Sequence, residues 1–118
     1  LMNEGPDRYD KIMNDLKQGR YKKAQASLEV LLVQEPANDT LRYFSGIVAT
    51  ELAQFDRAIV HFGNVPVSSV FVGKAQYQTA ICHLHEGRAD SAKTLLEKVS
   101  RSGDHQLSAR ARELLDRL

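Results

Sequence analysis

The residues of this chain best equipped for chemistry are one thiol, Cys82, and four imidazoles, His61, His83, His85 and His105. Cys82, His83 and His85 are close neighbours, which invites a zinc or nucleophile reading. A zinc site needs several ligands converging on one point. On a helix, His83 and His85 point about 200° apart, so they cannot share an ion as an i, i+4 pair does. Cys82 has no Cys-x-x-Cys partner, and as the only cysteine it forms no intramolecular disulfide. Plain helical packing instead predicts a buried Cys82, a partly buried His83 and a more open His85. No serine occupies a glycine-rich elbow, and no glycine loop is built to cradle phosphate. Carboxylates are scattered beside bases, as in Glu97–Lys98 and Asp7–Arg8. Such exposed pairs contribute about 0–1 kcal/mol and carry no mechanism. The expectation is a non-enzyme with no catalytic residue, metal or cofactor.

Composition is that of an ordinary globular domain. The chain has 118 residues, 42% hydrophobic and 26% charged, which is enough for one folded domain and too apolar for a disordered one. Sixteen basic residues nearly cancel fifteen acidic ones, for a formal net charge of +1. That balance lacks the positive field of a nucleic-acid binder. The basic cluster Lys17, Arg20, Lys22 and Lys23 brackets a turn, without stacking aromatics or a recognition helix, and reads as solvated. No run approaches the ~18 apolar residues of a membrane span, and the start is not a signal peptide. Leu1-Met2 reads as the start of a piece cut from a longer chain, or as a cloning scar.

Positioning falls to a repeat of 34 residues. Tyr9, Tyr43 and Tyr77 share one column, in a chain with four tyrosines. Ala24, Ala58 and Ala92 share another. Gly19, Ala53 and Gly87 align, as do Tyr21, Phe55 and Ala89. So do Leu28, Phe62 and Leu96; Leu31, Val65 and Val99; and Met13, Ile47 and Ile81. A constant register of this kind marks stacked supersecondary units rather than three unrelated hairpins in a bundle.

Each unit reads as a helix, a tight turn and a second helix. Tyr9, Ile12, Met13 and Leu16 recur at helical spacing. Gly19 follows, where a helix end wants positive φ. Tyr21, Ala24, Leu28, Leu31 and Leu32 form the next stripe, which Pro36 ends. The small residues Ala24, Ala58, Ala92, Gly46 and Ala80 allow close helix crossings, and Leu28, Phe62 and Leu96 fill the wedge where each pair opens. The pattern predicts helices over 7–18, 21–34, 39–52, 55–64, 69–86, 89–101 and 105–117. Pro6 suits a first helical turn, and Asn38 or Asp39 and Asp104 suit N-caps. Pro66 stops the fourth helix, so the fifth starts late or carries an extra turn.

Gly19-Arg20-Tyr21 with Ala24, Leu28 and Pro36 resembles the tetratricopeptide repeat, as do Phe55, Ala58 and Phe62, and Gly87 with Ala92 and Leu96. The resemblance covers roughly residues 5–103. It departs at the repeat's terminal proline, present only as Pro36, and at the tyrosine column, one residue off the family's first-helix aromatic. It implies an all-α, right-handed α-α superhelix of three antiparallel helix pairs plus a capping helix. The chain is then one domain, residues 1–118, with repeats at about 5–38, 39–72 and 73–104. The last segment, with Leu107, Ala111, Leu114, Leu115 and Leu118 on one side, looks like the family's solvating helix at about 105–117. Residues 43–49 and the Ala-Arg-Glu-Leu-Leu ending are also similar to repeat regions of bacterial cell-envelope proteins, which keeps the cytoplasm and the periplasm both open.

The resemblance implies that first helices line a concave face that binds a protein or peptide. By column, the groove residues are Tyr9, Met13 and Lys17; then Tyr43, Ile47 and Glu51; then Tyr77, Ile81 and His85. Two orientations stand open for the tyrosines. They line the groove, or they rotate into the core to compensate for Arg8, Lys11 and Asp15 in the first unit's other core columns. Some members of that family clamp a chaperone's terminal carboxylate with Lys, Asn and Arg at set places. Here those places hold Tyr9, Met13, Phe44, Lys74 and Gln78, of which only Lys74 fits, so no such clamp is expected. The leading reading is a non-catalytic scaffold for a protein or peptide partner, without nucleic-acid binding or membrane insertion by this segment. Self-association into a homo-oligomer, and service as the regulatory part of a longer protein, are the alternatives.

Overall fold

The computed structural model describes residues 6–118, with side chains described from Tyr9 onward. The opening segment and the Asp7 and Arg8 side chains lie outside the described residues. Among the described residues there are seven helices and no strand: α1 Pro6–Lys17, α2 Tyr21–Gln34, α3 Asp39–Glu51, α4 Phe55–Gly63, α5 Val72–His85, α6 Ala89–Ser100 and α7 His105–Asp116. All seven fall where the hydrophobic spacing put them, within a few residues.

The three hairpin turns are one structure repeated. Gly19 (φ 75), Ala53 (φ 58) and Gly87 (φ 76) each take the left-handed conformation. The next amide then reaches back five residues: Arg20 N–H to Asp15 O at 2.8 Å, Gln54 N–H to Ala49 O at 2.8 Å, and Arg88 N–H to His83 O at 2.8 Å. The left-handed residue's own amide bonds the carbonyl three before it, from Leu16, Thr50 and Leu84 respectively. This is a Schellman closure, which satisfies the last carbonyls of one helix and aims the chain into the next. The longer connections use side chains instead. Asn38 accepts from the Leu41 amide at 3.1 Å and Asp104 from the Leu107 amide at 3.0 Å, capping α3 and α7.

Burial runs in series along the chain. Ile12, Ala24, Leu28, Leu32, Leu41 and Val48 join α1, α2 and α3. Ala49, Ala58, Phe62, Val65, Ala75 and Cys82 join α3, α4 and α5. Ala80, Ala92, Leu96, Val99, Leu107 and Ala111 join α5, α6 and α7. The odd helices α3, α5 and α7 also touch one another, forming an inner layer. The molecule measures 47 × 27 × 23 Å, with a radius of gyration of 14.8 Å, against about 13.5 Å for a compact chain of this length. It is an all-α helical-repeat solenoid, not a bundle closed round one core.

The fifth helix starts at Val72, later than the expected 69, because Pro66 and Ser69 organise the link. The Ser69 amide donates to Pro66 O at 2.9 Å, and its hydroxyl donates to Asp39 Oδ2 at 2.5 Å while accepting from the Phe71 amide at 3.0 Å. That seats Phe71 against the inner layer, an aromatic with no counterpart at the same place in the other two units.

Candidate functional site

Every groove residue named from the sequence is half-buried or exposed; none is fully buried. Tyr9, Met13, Tyr43, Ile47, Tyr77 and Ile81 are half-buried, and Lys17, Glu51 and His85 are exposed. The tyrosines therefore take neither extreme: their rings pack at the edges of the three cores. The first unit holds Asp15 of its polar column by an ion pair through Oδ1, while Oδ2 has no hydrogen-bond partner among the described residues. Asp15, 3% exposed, is held by Arg20 at 2.9 Å.

Tyr9 and Tyr43 are set from behind by different means. The Tyr9 hydroxyl accepts from Asn38 Nδ2 at 3.3 Å, tying it to the α3 cap. The Tyr43 ring stacks on Phe71, centroids 4.8 Å apart at 15°, and meets Phe44 and Phe62 at 5.4 and 5.9 Å. Burial pushes the Tyr43 phenol above its ordinary range, so it stays a neutral hydrogen-bonding group. Tyr43 and Tyr77 meet in one recess of ≈220 Å³, lined also by Lys74, Gln78, Asp104, Gln106, Leu107 and Arg110. Ile81, Leu84 and His85 line a shallower, apolar depression. The His85 ring stacks on Phe55, centroids 4.4 Å apart at 8°, which fixes that edge.

The α7 residues of the recess were not legible as site residues. Sequence reasoning treats α7 as a lid over the last apolar face, and its outer residues as solvation. The available signal is the repeat itself: a helix that follows the third pair occupies the place of a fourth first helix, so part of it faces the same groove.

The thiol and the imidazoles are placed as packing predicts. Cys82 is fully buried, its sulfur 3.5 Å from the Thr50 hydroxyl, and burial pushes its thiol up, away from the reactive thiolate. His83 Nδ1 accepts from Arg88 Nε at 2.9 Å, and burial with the Arg88 charge lowers its basicity. His61 is lowered by burial and then by Arg42 and Arg57. Among the described residues, no group of three or more His, Cys, Asp or Glu is arranged to hold a metal ion, and no helix is long and apolar enough to cross a membrane.

No family model matches the sequence, and no curated protein matches it. The fold does match solved structures. The chain is similar to the Yersinia enterocolitica type III secretion translocator chaperone SycD, with a TM-score of 0.83 and 20% identity over 94% of this chain and 87% of that one. It is similar to PcrH in complex with the chaperone binding region of PopD, with a TM-score of 0.83 and 18% identity over 92% and 86%. SycD in complex with a peptide of the translocator YopD matches with a TM-score of 0.82 and 20% identity over 92% and 87%. At these identities the likeness is one of fold: a tetratricopeptide-like helical repeat matched over nearly the whole length.

Proposed function

We propose that this chain is a non-catalytic interaction module of tetratricopeptide type, one domain of three repeats and a capping helix. It holds a segment of a partner protein along the face of α1, α3 and α5. The observation that carries the reading is the meeting of Tyr43 and Tyr77 in one recess, with the Tyr43 ring backed by Phe71. Supported aromatic rings bind apolar side chains at low entropic cost. Half-exposed Ile47 and Ile81 extend that surface along the inner layer, and half-exposed Met13 holds the matching column on α1. Two of the fold's neighbours were solved in complex with the chaperone binding region of PopD and with a peptide of the translocator YopD, which supports peptide capture as the use of this shape. Cys82, His61, His83 and His85 are each engaged by neighbours within the fold, which supports a module without catalysis.

The test is a photo-crosslinking amino acid placed in turn at Ile47, at Ile81 and at Val33, whose side chain is 84% exposed on the outer helix α2. Adducts with partner protein at Ile47 and Ile81 but not at Val33 are expected. Adducts confined to Val33 would overturn the reading.

A second reading, self-association, is favoured by Val30, Val33, Val60, Val67 and Val70, each 61–88% exposed on the outer helices or the 64–71 link. Light scattering across a concentration series decides it. A strictly monomeric species removes self-association and leaves the groove reading intact.

A further inference from the structure

The recess between α3, α5 and α7 has a chemistry that peptide capture alone does not require. Its walls carry two cations, Lys74 at the start of α5 and Arg110 on α7, against one carboxylate, Asp104. Asp104 Oδ1 accepts from the Leu107 amide and caps α7, which fixes that carboxylate in place and leaves the charged lining of the recess with one cation in excess. Other basic side chains near the repeat turns are neutralised within the fold: Arg20 by Asp15, Arg57 by Glu29, Arg88 by Asp56. Among the described residues, the side chains of Lys74 and Arg110 have no hydrogen bond or ion pair. Tyr77, Gln78 and Gln106 line the same recess and offer neutral donors, and the Tyr43 ring, stacked on Phe71, forms a rigid wall.

We propose that this recess is a subsite for an acidic side chain: the carboxylate of an Asp or Glu inside the bound segment sits between Lys74 and Arg110. Flanking apolar side chains of the segment lie on Tyr43 and Tyr77. The inference rests on the groove reading above and adds the charge that the segment must carry. An internal carboxylate fits better than a chain terminus. Terminal-carboxylate recognition gathers several basic and amide groups from successive first helices, and here α1 and α3 offer Tyr9, Met13 and Phe44. The recess is instead completed by the capping helix, at one end of the groove, where a passing segment lays one side chain inward. Two charge-assisted hydrogen bonds make the discrimination, so loss of either cation weakens it and salt screens it.

Three tripeptides test it, followed by amide chemical shifts of the isotope-labelled whole chain: acetyl-Leu-Glu-Leu-amide, acetyl-Leu-Gln-Leu-amide and acetyl-Leu-Gln-Leu with a free carboxylate. Saturable shifts at Lys74, Tyr77, Gln106 and Arg110 are expected with the Glu peptide, about tenfold tighter than with its Gln counterpart. Lys74→Gln and Arg110→Gln, both exposed and so harmless to folding, are each expected to remove most of that preference. Equal shifts from the Glu and Gln peptides would sink the acidic subsite and leave the groove standing. Tighter binding of the free-carboxylate peptide would overturn the internal-side-chain assignment. No saturable shift from any of the three anywhere on the inner face would count against the groove itself and the subsite with it.

Discussion

A methyl group added to Gly46 would lie 2.4 Å from Cε1 of Phe62. This contact, between the middle of α3 and the wedge-filling aromatic of α4, sets how closely the second helix pair closes. Phe62 is 3% exposed and touches the Tyr43 ring, so it cannot withdraw without disturbing the inner face.

Gly46→Ala is therefore expected to destabilise the chain by about 1–3 kcal/mol, although alanine is the better helix former. Gly63→Ala, where an added methyl meets nothing within 4 Å, is the matched control and is expected to be neutral or mildly stabilising. Adding Phe62→Leu to Gly46→Ala is expected to recover part of the loss. Urea denaturation of the four proteins checks it; equal midpoints for the two glycine variants would show that the contact is not limiting.

The left-handed turn position carries glycine in units one and three but Ala53 (φ 58) in unit two. An L-residue with a β-carbon pays roughly 1–2 kcal/mol there. Ala53→Gly is expected to stabilise by up to about 1 kcal/mol, after the added freedom of the unfolded chain is subtracted. Gly19→Ala and Gly87→Ala are expected to cost a similar amount. A lower thermal midpoint for Ala53→Gly than for the parent would contradict the shared turn geometry.

These two cases show what was readable in the residues and what was not. The Gly19, Ala53 and Gly87 column announces the turn because only certain backbones close a helix hairpin this tightly. The tyrosine column likewise announces a face, since side chains 34 residues apart in stacked pairs must point the same way. Its depth was not announced: whether Tyr43 sinks or surfaces depends on Phe71, which the non-repeating Pro66–Phe71 link delivers. Arg110 escaped for a related reason. A terminal helix has no following pair to bury one of its flanks, so sequence alone does not divide its polar residues between solvent and groove.

Two histidines couple stability to pH. His61 and His83 both have basicity lowered in the folded chain, first by burial and then by neighbouring arginines. From the ordinary 6.5 downward, the unfolded chain takes up protons that the folded chain resists. Stability is thus expected to be flat above that value with respect to these groups. It should fall as pH drops through it, until the folded imidazoles also protonate. Denaturation midpoints from neutral pH down to the onset of carboxylate titration measure the slope. The double variant His61→Gln, His83→Gln is expected to flatten it; an unchanged slope would assign the effect elsewhere.

The strongest mechanical consequence comes from three apolar clusters in series. Leu28 belongs to the cluster of α1, α2 and α3, and Leu96 to that of α5, α6 and α7; each is 2% exposed or less. Truncating either to alanine is expected to cost about 2–5 kcal/mol. In a closed core that loss would be shared by every element. In a solenoid, stability is a sum of unit and nearest-neighbour terms, so the damage stays local. Native-state hydrogen exchange is expected to show Leu28→Ala releasing α1 and α2 while α6 and α7 keep most of their protection. Leu96→Ala is expected to do the reverse. The second variant should also loosen the recess formed by Tyr77 and Arg110, because α7 rests on the cluster that contains Leu96. Uniform loss of protection in both variants would mean that the clusters act as one cooperative core, and the groove would then open or close as a whole.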